Sequence, residues 1–409
     1  MRLLHFGYAF TISALVGCAH ATYRDHRFIE IPEAINKLPG KQLTRDEVAY
    51  DVEQAIYSLE TAYSGSQHLP NDEFKNLIAN IASIRGPMTA DEFCRQIDSF
   101  MDKVSDNHLT AKFNNSACFP SVTDHKGRVG ANTYQETKGI PWRVALDKRK
   151  KATALLVSIT GFPKATSPVW NGFLNEVKKL LPKADFVVVD LRGNAGGDDT
   201  KGYELSTLLA GTPLKRPYGP QWNSYRPETY QLFVNTFEYW ARIRRDDGKD
   251  VPPYILDLKS AFVKKRDLAL KGERPEISDQ EDLPGTDFVY EKSVKKPIYI
   301  LIDAACGSSC ESTTDYFEFN PLVKTVGENT AGYVHFGNNG NVFLKNSGIN
   351  LQMAVSYNTY LDGRFIEKKG ITPKIRVLPR QDALVVAWDE FLKQRRHRIS
   401  TRTADGRFR

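Results

Sequence analysis

Leu301-Ile302-Asp303-Ala304-Ala305-Cys306-Gly307-Ser308-Ser309-Cys310-Glu311 is the stretch of this 409-residue chain that decides its architecture. The apolar run Pro297 to Ile302 before it reads as a buried strand. Small residues with two serines follow, then the polar–apolar pattern Glu311 to Phe319, which reads as a helix. A strand, a tight turn and a helix in that order can push one hydroxyl out above a helix N-terminus. There backbone N–H groups are unpaired and the helix dipole favours negative charge. A serine so held can attack a carbonyl, and the oxyanion that forms lands among donors. Many small-residue strand ends are only turns, so this reading depends on what else the chain supplies.

Phe186-Val187-Val188-Val189-Asp190-Leu191-Arg192-Gly193-Asn194-Ala195-Gly196-Gly197 is a second motif of the same kind. Its glycines permit positive φ and close approach of backbone to a ligand. A phosphate loop is the competing reading, but neither GxGxxG spacing nor Gly-Lys-Ser/Thr is present. Around the two motifs strands and helices alternate: Ala152 to Thr160 strand, Pro168 to Leu181 helix, Asp185 to Asp190 strand, Gly202 to Leu209 helix, Thr325 to Gly327 strand. Alternation of that kind predicts an α/β core.

The rest arranges itself around this core. Residues 43–104 read as a small N-terminal helical unit, with capping boxes at Thr44–Glu47 and Thr89–Glu92 and a third helix over Asp72 to Ile84. His108 follows in Ser105-Asp106-Asn107-His108-Leu109-Thr110-Ala111-Lys112-Phe113, where a helix gives way to a strand. Residues 114–138 are turn-like and polar. A helical insertion spans 211–296, with runs at Tyr230 to Arg245 and Leu256 to Leu270; a lid and a surface elaboration are both open for it. Its Trp222, Tyr225, Tyr239 and Trp240 are candidates for apolar contact with substrate, with core packing the bland alternative. Late β-strands run from Gly337 to Tyr360, a last helix covers Asp382 to Lys393, and the basic segment 398–409 reads as a disordered tail.

With 41% hydrophobic and 26% charged residues the composition is that of a globular protein, long enough for a large core. The net charge of +7 is concentrated in Lys148 to Lys151, Lys264 to Arg266 and Arg395 to Arg398. No aromatic interleaving accompanies these runs, so they read as solvated faces and no nucleic-acid partner is expected. Residues 1–21 read as an export signal: Arg2, then an apolar stretch to Val16 that is short for a membrane span. Leu15-Val16-Gly17-Cys18 is like a bacterial lipobox, which favours lipidation at Cys18 over ordinary cleavage at Ala19-His20-Ala21. The expected location is the periplasm or the outer membrane as a lipoprotein, touching the membrane only through that lipid. Cys94, Cys118, Cys306 and Cys310 would then meet an oxidising compartment. Pairing of sequence neighbours gives Cys94–Cys118 and Cys306–Cys310, though spacing does not fix connectivity. Zinc is not expected, because no CxxC pair exists and the histidines are scattered. A nucleophilic Cys306 or Cys310 is open but disfavoured by oxidation.

Asp190-Leu191-Arg192-Gly193-Asn194-Ala195-Gly196-Gly197 and Cys306-Gly307-Ser308-Ser309-Cys310-Glu311-Ser312, with Val326-Gly327-Glu328-Asn329-Thr330-Ala331-Gly332 downstream, resemble the tail-specific, C-terminal-processing and tricorn-core serine peptidases. The resemblance implies a core of crotonase-like βα units over 105–397, a polypeptide substrate, and acyl-enzyme chemistry with neither metal nor cofactor. It implies Ser308, three residues before Glu311, as nucleophile, with Ser309 the rival. Backbone N–H groups of Gly196 or Gly197 and of Ser309 would bind the oxyanion. One departure matters. Relatives with a Ser–Lys dyad carry lysine after Gly-Glu-x-Thr-x-Gly, and here that position is Tyr333, a poor base at neutral pH. The tricorn-core and chlamydial protease-like activity factor branch resembles this chain instead, with a histidine after the N-terminal helices and a glutamate before a late Gly-(Ile/Val)-x-Pro. His108 and Glu367 stand at those places. His335 is the rival base, and Asp106 and Glu328 are rival orienting carboxylates. The interval from Phe113 to Ala152 is too short for a PDZ domain, so recognition of free C-termini is not expected. An inactive peptidase-fold binding or scaffold protein is the alternative, and an esterase the third reading.

Overall fold

The computed structural model describes residues 40–113, 116–118, 142–149, 152–163, 168–211, 217–273, 296–318 and 320–405. The expected export signal 1–21 with Cys18, and nearly all of the polar segment 114–138, lie outside the described residues. Strand β1 (Gln42–Leu43) leads into α1 (Arg45–Thr61), the short α2 (Gly65–His68) and α3 (Glu73–Ala82). Strand β2 (Met88–Thr89) pairs antiparallel with β1, and α4 (Ala90–Met101) follows. Both capping boxes form: Thr44 and Thr89 accept from the N–H groups of Glu47 and Glu92, whose carboxylates accept in return. Each stabilises its helix start by roughly 1 kcal/mol.

Next come β3 (Thr110–Phe113), β4 (Ser116–Ala117), β5 (Trp142–Arg149), β6 (Ala152–Ile159), α5 (Pro168–Leu180), β7 (Phe186–Asp190) and α6 (Asp199–Ala210). Within 211–296 lie β8 (Tyr218–Asn223), α7 (Pro227–Asp246) and α8 (Pro253–Leu270). The chain continues with β9 (Ile298–Ile302), α9 (Ser309–Tyr316), β10 (Val323–Gly327), β11 (Phe336–Phe343), β12 (Asn350–Tyr360), β13 (Ile375–Arg376) and α10 (Ala383–Asp405).

The central sheet has the order β13-β10-β9-β7-β6-β5, parallel from β13 to β6 with β5 antiparallel at the edge. Helices cover both faces, so β7 and β9 are apolar without alternation, as Phe186 to Val189 and Ile298 to Ile302 show. On one face Trp170, Phe173 and Val177 of α5 and Leu205 and Leu209 of α6 pack against Val187, Val189 and Ile300. Trp388 and Phe391 of α10 pack against Phe186, Val188 and Tyr299 on the other. A second, antiparallel sheet is built on β12, which pairs with β11 along one side. Its other side is shared, with β3 at Asn350–Gln352 and β8 at Ser356–Tyr360. Helices α1, α3 and α4 bury their apolar faces against it.

Two strands escape a reading of the sequence. β5 is half charged and lies at an edge, so its apolar signal is weak. β8 carries Gly219 and Pro220, which a strand tolerates only where an edge or a bulge frees an N–H. The expected disordered tail at 398–409 is corrected in part: α10 runs on to Asp405, since no glycine or proline interrupts it before Gly406.

Candidate active site

The two motifs leave the central sheet at the carboxyl ends of β7 and β9, which are neighbours in parallel register. That end of an open α/β sheet is where loops converge into a site. Asn194 ties the loops together. Its Nδ2 donates to the Ile159 carbonyl (3.1 Å), its Oδ1 accepts from Gly196 N–H (2.8 Å), and its own carbonyl accepts from Gly307 N–H (3.1 Å). Arg192 faces away, held bidentately by Asp190 (2.8 and 2.7 Å) and by Asp382 (3.2 Å), a structural strut for the loop.

Ser308 precedes α9 with φ of 56° and ψ of −122°, a conformation costing a non-glycine residue roughly 1–3 kcal/mol. Gly196, at φ 102°, presses against it. A Cβ on Gly196 would lie 3.0 Å from the Gly307 carbonyl oxygen, 3.0 Å from Ser308 Cβ and 3.1 Å from Ser309 N. Only a glycine lets the loop approach so closely. Ser309 Oγ donates to the Gly197 carbonyl (2.8 Å), which fixes the backbone of that second glycine beside α9. The Ser309 hydroxyl is therefore engaged, which favours Ser308 of the two serines.

Glu311, buried in the first turn of α9, gathers four donors. Its Oε2 accepts from the N–H of Ser308 (3.1 Å) and of Tyr333 (2.7 Å); its Oε1 accepts from Gly332 N–H (2.8 Å) and the Thr330 hydroxyl. Burial pushes its carboxyl above the usual range and these donors pull it back. The sequence marked Glu311 only as a point to count from; it is the clamp between the seryl turn and the segment after β10. Ala331 N–H donates to the Cys306 carbonyl (2.8 Å), closing the same junction.

His108 stands just before β3 and is 8% exposed. Asp106 Oδ1 accepts its backbone N–H (2.7 Å), and Tyr63 donates to Asp106 Oδ2 (2.8 Å). Glu367 is 1% exposed and accepts from the N–H groups of Asn107 (3.0 Å) and His335 (3.0 Å). One ligand atom from each of His108, Asp106 and Glu367 lies within 4.8 Å of the others. His108 Nδ1 is buried with no hydrogen-bond partner. Burial lowers His108 to about 4, the positive charge of Lys112 adding to it and the Phe336 carbonyl opposing it. Burial likewise raises Asp106 to about 6 and Glu367 well above the carboxylate range, with the charge of Asp106 a further cause for Glu367.

The structure thus assembles two halves: Ser308 with Gly196, Gly197 and Ser309, and His108 with Glu367 and Asp106. Among the described residues no hydrogen bond joins His108 to Ser308. Tyr333 lies between the halves, its ring edge-on to His108 (centroids 5.0 Å, 81°) and its Cδ2 3.2 Å from a Cβ placed on Gly307. Asn107 holds them together, its Nδ2 donating to the carbonyls of Ala331 (3.2 Å) and Gly332 (2.9 Å). The rival His335 has both nitrogens engaged: Nε2 accepts from Ile366 N–H (3.0 Å), which leaves Nδ1–H for the Asn358 carbonyl (2.9 Å). Its ring stacks on Phe365, so it serves as a strut. Glu328, the other rival carboxylate, is exposed. Cys94 pairs with Cys118 and Cys306 with Cys310, so neither Cys306 nor Cys310 offers a thiol nucleophile.

A mostly parallel sheet presenting a serine at a helix N-terminus, with a histidine–carboxylate cluster nearby, is the candidate site of this fold. The sequence profile of peptidase family S41 matches residues 153–377, and the chain belongs to that family. No curated protein matches it by sequence. Among solved structures, mature CPAF complexed with lactacystin is 14% identical, with a TM-score of 0.50 over 85% of this chain and 97% of that one. A lipoprotein from Streptococcus agalactiae is 15% identical, at TM-score 0.42 over 88% and 99%. The photosystem II D1 C-terminal processing protease is 14% identical, at TM-score 0.33 over 60% and 50%. The CPAF likeness is one of fold.

Proposed function

We propose that this peptidase is an exported serine enzyme that hydrolyses polypeptides through an acyl-enzyme at Ser308. The observation that carries the reading is the seryl turn: Ser308 held at positive φ above the N-terminus of α9, with Gly196 packed against it. Ser308 attacks the carbonyl while His108 takes its proton and returns it to the leaving amine. Glu367 orients the imidazole and stabilises the imidazolium, with Asp106 fixing the backbone that carries it. Gly196 N–H already donates to Asn194, so the oxyanion falls to the amides of Gly197 and Ser309. On this reading substrate binding brings His108 and Ser308 together across Tyr333; catalytic contacts are often loose before substrate binds. Export rests on the signal-like residues 1–21, with Cys18 as the lipid acceptor, and two disulfides fit an oxidising compartment.

The absent lysine and the separated His108 and Ser308 favour the second reading, a scaffold that keeps the fold without activity. A fluorophosphonate probe decides. Labelling of wild type, none of Ser308→Ala, and a fall in turnover of several orders of magnitude in that variant are expected. Peptide hydrolysis retained by folded Ser308→Ala, or no labelling of wild type, would overturn the enzyme reading.

A further inference from the structure

We propose that the Cys306–Cys310 disulfide positions the nucleophile, so that turnover depends on this bond while the fold does not. The proposal rests on Ser308 as the reacting serine. The bond closes a five-residue ring, Cys306-Gly307-Ser308-Ser309-Cys310, with Ser308 at its centre and its ends 5.4 Å apart at Cα. Cys306 follows β9 and Cys310 is the second residue of α9, so the bond spans the joint between strand and helix. Both cysteines are fully buried in the core cluster with Val189, Leu191 and Ile302. The ring is thereby anchored to the sheet on its inner side, and its outer side presents Ser308.

The residue at the centre of this ring is one of five non-glycine residues with positive φ among the described residues. Ser308 has positive φ without being glycine, and such a conformation persists only where the surroundings over-determine it. Glu311 holds its N–H from one side and Gly196 packs on the other. The disulfide adds the constraint along the chain: without it, Ser308 can relax toward ordinary helical dihedrals and lengthen α9 by a residue. That relaxation would swing Oγ and the Ser309 amide together, and the serine and its oxyanion donor would lose register at once.

Loop length separates this role from ordinary stapling. A disulfide restrains the unfolded chain by an amount that grows with the logarithm of the loop it closes. Cys94–Cys118 closes a separation of 24 residues, Cys306–Cys310 only 4. The shorter bond is the weaker staple, and its effect falls on the turn it encloses.

The test compares Cys306→Ala/Cys310→Ala with Cys94→Ala/Cys118→Ala and wild type, in the full chain. Readouts are p-nitrophenyl acetate hydrolysis, the rate of fluorophosphonate labelling, thermal melting, and amide hydrogen exchange over 306–312. For the first variant we expect kcat to fall about 10- to 100-fold with KM within about threefold, labelling slowed in step, and exchange faster at 306–312. Its melting should change less than that of the second variant, which should keep kcat within about threefold. If the first variant does not fold, the Cys94→Ala/Cys118→Ala variant, which keeps the Cys306–Cys310 bond, is reduced with dithiothreitol. That dithiol gives two electrons and two protons, the S–S bond opens to two thiols, and dithiothreitol becomes its cyclic disulfide. Alkylation and mass then count the thiols. The proposal is overturned if kcat and exchange match wild type once the bond is gone, if losing the bond unfolds the chain, or if Cys306 and Cys310 alkylate in unreduced folded protein. Wild type that neither hydrolyses nor labels sinks the Ser308 reading instead; bracing is then read from exchange alone, and exchange unchanged in the variant would sink that too.

Discussion

His108, the base of the proposed mechanism, is a residue whose titration is strongly sensitive to its surroundings. Burial holds it near 4, so the free enzyme keeps a neutral imidazole across the neutral range. The acid limb of kcat/KM should therefore fall nearer pH 4 than the ordinary histidine value near ~6.5. A pH profile on an ester substrate reads this directly; a limb at 6.5 or above would mean that ionised Glu367 dominates over burial. Ser308, His108 and Glu367 could be named as candidates because each sits in a short motif with a mechanical reason behind it. What His335 does was not legible. Its partners, the carbonyl of Asn358 and the N–H of Ile366, are 23 and 31 residues away in sequence. Tyr333 was read as the loss of a lysine, whereas its ring also fills the space between His108 and the seryl turn.

Helix α9 shows how an element can be specified by one side chain. Glu311 accepts from Ser308, Thr330, Gly332 and Tyr333, so it sets where the helix starts and where the segment after β10 docks. Glu311→Gln puts an amide NH2 against two of these donors. A buried donor left unmade costs about 1–3 kcal/mol, so chemical denaturation should show a loss of about 2 kcal/mol or more. Turnover should fall with it, because the same contacts hold Ser308; wild-type stability and kcat in that variant would contradict this role. The alternating strands and helices of the core were legible from buried runs such as Phe186 to Val189. β5 and β8 were not, because an edge strand need satisfy only one neighbour and tolerates charge, glycine and proline.

Across the molecule, Asp315 of α9 joins parts that are distant in the chain. Its carboxylate accepts from Tyr218 of β8 (2.8 Å) and Tyr360 of β12 (2.7 Å), and Arg364 lies 3.5 Å away. Burial raises it to about 7, the two hydroxyls and the guanidinium pulling it back. Because the folded value lies above the unfolded one near ~3.8, its contribution is fully present below about pH 4 and is lost as pH rises through about 7. Asp315→Asn should remove that part of the slope, giving a stability less dependent on pH between about 4 and 7 than wild type; equal slopes in a denaturation series would refute it.

Strand β12 has a further consequence for anyone trimming the chain. Its side opposite β11 is completed by two different pieces, β3 beside His108 and β8 at the start of 211–296. Excising the whole of 211–296 strips half of that side bare and leaves a row of unsatisfied backbone groups, a template for self-association. A cut that begins after Ser224 keeps β8 in place. The shorter excision still uncovers the face where Leu232 and Tyr239 of α7 pack, so it should self-associate less than the longer one in light scattering, and the boundary for surgery lies inside the insertion and not at its ends.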